Sequence, residues 1–159
     1  LSHQVHIYTD GAAKGNPGPA GYGVVMELAG TPYKKEFFEG FRLSTNNRME
    51  LLAVIVGLEK LKNPNMTVLV VSDSKYVVDA VEKKWVFGWE KKGFKGKKNP
   101  DLWIRFLKAY RKHQVDFKWI KGHNNHPQNE RCDELAVMAS QQAKLSIDTF
   151  YEKEEGKLL

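Results

Sequence analysis

The sequence predicts a mixed α/β fold, one sheet of five strands, three of them antiparallel, with helices over both faces. Three observations carry that reading. The opening third holds three strand-like runs separated by Gly- and Pro-rich breaks, the pattern of an antiparallel meander. From there helical and strand patterns alternate, which is how parallel strands are joined. One later strand, Thr67 to Ser72, is apolar almost throughout, as expected of a strand covered on both faces.

Val5 to Asp10 alternates and is β-rich, and breaks at Gly11 into a loop carrying Gly15-Asn16-Pro17-Gly18-Pro19. Strands are expected from Tyr22 to Leu28 and from Tyr33 to Phe41, on either side of Gly30-Thr31-Pro32. Thr45 is the expected N-cap of a helix from about Asn46 to Lys62, stopped at Asn63-Pro64-Asn65. After the strand to Ser72 come a helix over Ser74 to Lys83, a Lys- and Trp-rich segment at about 83–98, and a helix over Asp101 to Lys112 behind Pro100. Val115 to Ile120 is the fifth strand, and a polar loop leads to a last helix from Pro127 to about Lys144. Residues 145–159 read as a poorly ordered charged tail. The layout is therefore a single domain over 1–144, with a basic protrusion at about 83–98, followed by a tail over 145–159.

At 159 residues the chain can bury a real core, and 42% hydrophobic with 28% charged residues is ordinary globular composition. No apolar run approaches the roughly 20 residues of a spanning helix, so no membrane partner is expected. The start, Leu1-Ser2-His3, lacks the basic-then-apolar order of a secretory signal. The single cysteine, Cys132, excludes an intrachain disulfide and fits a reducing compartment, so a cytoplasmic location is expected. A net charge of +6 suits an anionic partner. That charge is concentrated. Seven lysines, Lys91 and Lys92 among them, interleave with Trp85, Phe87, Trp89 and Phe94 in residues 83–98. Trp85 and Trp89 lie a helical turn apart, so an apolar face can anchor the segment while the lysines form a cationic arm for a phosphate backbone.

Four carboxylates stand out. Asp10 and Asp73 each close a strand, where open α/β sheets bind ligands. Each is equally readable as a turn or capping residue, Asp73 especially, since Ser74 follows. Glu50 shares a helix face with Ala53, Val54 and Gly57, small residues suited to close packing on a sheet, so its charge would be partly desolvated. Asp133 is similar, on a face with Asn129, Ala136 and Val137. Four acids that converge repel one another, and hard divalent cations such as Mg²⁺ or Mn²⁺ resolve that conflict.

These segments, in this order and spacing, resemble the type 1 ribonuclease H family of the bacterial kind. The resemblance spans roughly residues 5–143. It rests on Tyr8-Thr9-Asp10-Gly11, Gly15-Asn16-Pro17-Gly18-Pro19, Ser44-Thr45-Asn46-Asn47-Arg48-Met49-Glu50-Leu51 and Ser72-Asp73-Ser74-Lys75-Tyr76-Val77. Lys121-Gly122-His123 and Asn129 through Ala136 complete it. It implies the ribonuclease H-like sheet and a four-acid metal site at Asp10, Glu50, Asp73 and Asp133. It also implies that the Lys-Trp segment is the family's basic protrusion. Asn16, Asn46 and Asn47 then lie on the hybrid-binding surface, and Tyr76 and Trp85 in the channel for the DNA strand. Trp89, Lys91 and Lys92 belong to the protrusion. Glu50 doubles as a contact near the RNA ribose, His123 matches a mobile-loop histidine that serves proton transfer or product release, and Glu130 an acid tied to metal exchange. Lys75 departs from the Gln frequent in bacterial relatives, which makes its expected contact ionic.

The activity the resemblance implies is endonucleolytic cleavage of the RNA strand of an RNA–DNA hybrid, with two Mg²⁺ ions and Mn²⁺ as a substitute. Asp10 is expected as the bridging ligand, because its strand lies between the others. Expected products carry 5′-phosphate and 3′-hydroxyl ends. His123, an imidazole, suits a proton shuttle. Cleavage is expected to be nearly sequence-independent, since no base-reading module is visible. A monomer with no obligate protein partner is the simplest form. Two rivals remain: a related metal nuclease acting on duplex DNA, and a hybrid-binding protein without catalysis.

Overall fold

The computed structural model describes residues 2–155. Strands β1 (Val5–Ala13), β2 (Gly18–Leu28) and β3 (Lys34–Ser44) form the meander, followed by α1 (Asn46–Glu59). Then come β4 (Thr67–Ser72), α2 (Lys75–Glu82), α3 (Trp85–Lys91), α4 (Pro100–Tyr110), β5 (Gln114–Trp119), α5 (Pro127–Ser140) and α6 (Thr149–Glu154). The sheet order is β3-β2-β1-β4-β5, antiparallel through the first three strands and parallel from β1 to β4 to β5. The mixed five-stranded sheet is as expected, and β1 is its centre.

Glycines determine how closely the helices approach the sheet. A Cβ at Gly57 of α1 would lie 2.7 Å from Ile7, and one at Gly23 of β2 would lie 2.3 Å from the Cys132 carbonyl of α5. Neighbouring strand residues point to opposite faces. Val24 lies beside Gly57 while Gly23 meets α5, so α1 and α5 cover the two faces of the sheet. The larger core lies on the α1 side, where Ile7, Val70, Leu51, Ile55, Trp103 and Phe106 are buried together. Each such side chain contributes about 1.5–3 kcal/mol on leaving water. A smaller cluster under α5 joins Tyr8, Val25, Val71, Cys132 and Leu135.

Gly11 does not break the first strand. The β1–β2 ladder continues from Asp10↔Gly23 to Ala13↔Ala20. Gly11 is needed for a different reason, because a Cβ there would sit 2.5 Å from the Glu50 amide. Its bare backbone lets α1 close on β1 at the level of Asp10.

Residues 145–155 are not a loose tail. Ser146 donates to the Gly40 carbonyl at 2.8 Å and accepts from the Arg42 amide at 2.9 Å, and α6 follows with Asp148 as its N-cap. Arg48, 2% exposed, explains the attachment. Its guanidinium donates to both carboxylate oxygens of Asp148 (2.6 and 2.9 Å) and to both of Asp101 (2.9 and 2.7 Å). Charges that read as solvated in the sequence are thus partners of one buried cation. Residues 156–159 of the expected tail lie outside the described residues.

The Lys-Trp segment is the short helix α3 and an irregular turn leading into α4. Val86 and Phe94 anchor it in the core, with Trp89 edge-on to Trp103 at 5.7 Å between ring centres. Trp85 is 48% exposed, so of the two tryptophans it is Trp89 that anchors.

Candidate metal centre and nucleic-acid face

Thr9 pairs with Ser72 across the parallel β1–β4 junction, which brings Asp10 and Asp73 to one sheet edge. Glu50 comes down from α1, second residue after the buried Arg48. One carboxylate oxygen from each of Asp10, Glu50 and Asp73 lies within 4.8 Å of the other two. Asp10 and Glu50 are both 5% exposed, while Asp73 is half-buried.

The electrostatics of this cluster are unfavourable without a cation. Burial, then the Asp73 charge, pushes the Asp10 carboxyl up to about 8. Burial and the neighbouring Asp10 likewise raise Glu50 well above the usual carboxylate range. Hydrogen bonding does little to relieve this. Asp10 Oδ1 accepts from the Gly11 amide at 2.9 Å, but Glu50 Oε1 and Asp73 Oδ1 are buried without a hydrogen-bond partner among the described residues. Buried acceptors left unpaired cost free energy unless something else satisfies them. Three convergent carboxylates with unsatisfied oxygens are a donor set suited to a hard divalent cation.

Asp133 is placed differently from expectation. The buried stripe of α5 is Asn129, Cys132, Leu135, Ala136 and Ala139, because the Cys132 and Ala136 backbone seats on Gly23 and Gly21. Asp133 lies half-buried at its margin, and Val137 is 39% exposed. It does not join the three-acid group, although its charge is felt at Asp10, raising that carboxyl further. Glu130 is exposed in the first turn of α5.

The remaining expected residues surround this edge in part. Asn16 Oδ1 accepts from the Asn46 amide at 2.8 Å, which ties the loop after β1 to the start of α1, beside exposed Asn47. Tyr76 turns its hydroxyl inward, where it accepts from Asn99 Nδ2 (2.9 Å) and Trp103 Nε1 (3.0 Å). Lys75 is exposed, with Nζ 4.8 Å above the Trp119 ring. Lys91 and Lys92 are exposed on the protrusion, and Lys83 and Lys97 lie over Trp85 and Trp89, each at 5.2 Å. His123 is exposed at φ 54, a left-handed residue in the loop before α5.

Three features escape sequence reasoning. His126 is the N-cap of α5, its Nδ1 accepting from the Asn129 amide at 3.3 Å, so it is committed to the helix start. Gly122 abuts Asp73, since a Cβ there would lie 2.6 Å from Oδ2. Trp119 donates its indole N–H to the Asp73 carbonyl at 3.0 Å. Only Pro127, directly after His126, hints at the first of these.

A family model described as RNase H matches residues 2–141. Ribonuclease H of Desulforamulus reducens is 53% identical over 150 residues, covering 91% of this chain and 92% of that protein. Ribonuclease HI of Shewanella oneidensis is 49% identical over 155 residues, 94% of this chain and 96% of the relative. Among solved structures, LC9-RNase H1, a type 1 RNase H with the type 2 active-site motif, is 31% identical with a TM-score of 0.77, over 97% of this chain and 81% of that one. LC11-RNase H1 in complex with an RNA/DNA hybrid is 31% identical with a TM-score of 0.67, over 87% and 98%.

Proposed function

The chain belongs to the ribonuclease H family, and we propose that its acid cluster is the centre at which the RNA strand of an RNA–DNA hybrid is hydrolysed, leaving 5′-phosphate and 3′-hydroxyl ends. The carrying observation is the meeting of Asp10, Glu50 and Asp73, with buried, unpartnered oxygens on Glu50 and Asp73, at the sheet edge from which α2 departs. A related solved structure holds an RNA/DNA hybrid, which supports the same substrate here.

Asp10, Glu50 and Asp73 would hold the cation, with Asp133 completing the set from the opposite face of the sheet. Asp10, on the central strand and within reach of both Glu50 and Asp73, would be the ligand in common. Divalent metal, Mg²⁺ in this reading with Mn²⁺ able to replace it, would polarise the phosphodiester and activate a water. Glu50 also faces the ribose of the RNA strand, where a carboxylate can accept from a 2′-hydroxyl. Asn16, Asn46 and Asn47 supply amide donors and acceptors to the backbones at the start of α1. Lys75, Tyr76, Trp85 and Trp89 line the path toward the protrusion, and Lys91 and Lys92 meet phosphates. His123, exposed on its loop, moves a proton to or from the departing product, and Glu130, exposed in the first turn of α5, acts in exchange of the ion. None of these groups reads base edges, so cleavage is largely indifferent to sequence.

The working unit is one chain, because the acids and the cationic arm lie on the same domain. Its compartment is the cytoplasm in this reading, in keeping with a single cysteine whose thiol is buried and raised by that burial.

Cleavage of end-labelled hybrid, duplex DNA and duplex RNA in Mg²⁺, with and without EDTA, tests the proposal. Cutting confined to the RNA strand of the hybrid, abolished by EDTA, with 3′-hydroxyl products, is expected. Equal cutting of duplex DNA, or cleavage that survives EDTA, refutes it.

A further inference from the structure

We propose that Trp119 is a positioning residue for the catalytic edge: its indole N–H holds the Asp73 backbone while its ring seats the Lys75 ammonium. The proposal rests on the reading of Asp73 as a metal ligand.

The β4–β5 ladder runs out where the site begins. Ser72 pairs with Trp119, and the last rung is the Ile120 amide to the Ser72 carbonyl at 3.0 Å. The next carbonyl on β4's path, that of Asp73, receives a side-chain donor instead, Trp119 Nε1 at 3.0 Å. The Asp73 side chain makes no hydrogen bond of its own among the described residues, and its Oδ1 is buried without a partner. The direction of that carboxylate is therefore set by its backbone and its packing. Both are controlled by the exit of β5, with Trp119 at the carbonyl and Gly122 against Oδ2.

Trp119 is also 42% exposed, which leaves a face of its ring open to a partner. Lys75 lies over its ring at 4.8 Å, within the range of a cation–π contact. That contact restrains a long, mobile side chain two residues after Asp73. One tryptophan thus couples the place where a cation is held to a charge available for a phosphate.

The two halves separate by substitution. Trp119→Phe keeps the ring and removes the donor, whereas Trp119→Ala removes both. Binding of Mg²⁺ to the substrate-free protein is measured by calorimetry, and hybrid cleavage gives kcat and KM. Trp119→Phe is expected to weaken Mg²⁺ binding roughly three- to tenfold, the effect of one hydrogen bond, and to lower kcat at limiting Mg²⁺, with KM for the hybrid kept. Trp119→Ala is expected to add a several-fold, salt-sensitive rise in KM. Should Trp119→Ala not fold, Lys75→Gln reads the same half, raising KM while Mg²⁺ affinity stays parental. Parental Mg²⁺ affinity in Trp119→Phe overturns the first half, and parental KM in the Ala or Gln variant overturns the second. A drop in melting temperature with neither affinity moved means a merely structural tryptophan and overturns both. Asp73→Asn, run alongside, keeps the failures apart: if it too binds Mg²⁺ like the parent, the metal-site reading is what fails.

Discussion

Asp10 and Asp73 stand side by side where the β1–β4 pairing ends, because the residues before them, Thr9 and Ser72, are paired in the parallel register. Neither strand alone makes a site. Their adjacency puts two like charges at one edge, and α1 adds Glu50 from above, close enough because Gly11 carries no side chain.

Removing one charge from that edge should abolish hydrolysis while leaving the fold intact. Asp10→Asn and Asp73→Asn are each expected to lower hybrid cleavage in saturating Mg²⁺ by about 10³-fold or more, since several kcal/mol of transition-state stabilisation is lost. A rate within tenfold of the parent for either variant excludes that residue from the centre.

The same edge should make the metal-free protein less stable at alkaline pH. Asp10 is raised to about 8 and Glu50 is raised as well, so the native state binds their protons more tightly than the unfolded chain. Their contribution is fully present below the ordinary carboxylate range near 4 and is lost as pH climbs through the native values. In EDTA, stability to urea is expected to fall between about pH 5 and pH 9, with Mg²⁺ restoring it at the upper end. Asp10→Asn should flatten this decline and gain ~2 kcal/mol at the alkaline end. Equal pH dependence in parent and variant contradicts the shared strain of these acids.

The protrusion should act through charge. Changing Lys91, Lys92 and Lys95, all exposed, to Gln is expected to raise KM for the hybrid about tenfold at low salt and to make its salt dependence shallower. KM and salt slope both at parental values would show that the nucleic acid runs elsewhere.

The C-terminal segment should depend on one arginine. Arg48→Ala leaves Asp148 and Asp101 facing a vacated site, and the expected cost is about 3–5 kcal/mol. Amide exchange should speed up across residues 145–155 first, where this pair and the Arg42–Glu152 bridge hold α6. A variant less than about 1 kcal/mol down by urea unfolding, with α6 still protected, removes Arg48 from that role.

The meander, the covered strand and the helices are legible from periodicity, which local chemistry writes directly into the chain. Glu50 is legible as a misplaced charge because its helix face is otherwise small and apolar, and it is indeed buried. For Asp133 the same reasoning fails. Its helix is rotated so that Cys132 and Leu135 face the sheet, a choice made by Gly21 and Gly23 on β2. The order of residues 145–155 is hidden from the sequence as well, because nothing local marks Asp148 and Glu152 as partners of arginines about a hundred positions earlier.

By itself, then, the sequence determined the five strands, the helices from α1 to α5 and the family motifs they spell, but neither the run of β1 past Gly11 nor α6. Tertiary structure alone decided that Asp10, Glu50 and Asp73 meet, that Asp133 stays at the margin, and that Trp119 holds Asp73. Periodicity is a property of neighbours along the chain and is written in every few residues. Convergence depends on strand order, on helix rotation and on where a glycine lets two backbones approach, and those are settled only when distant segments pack together.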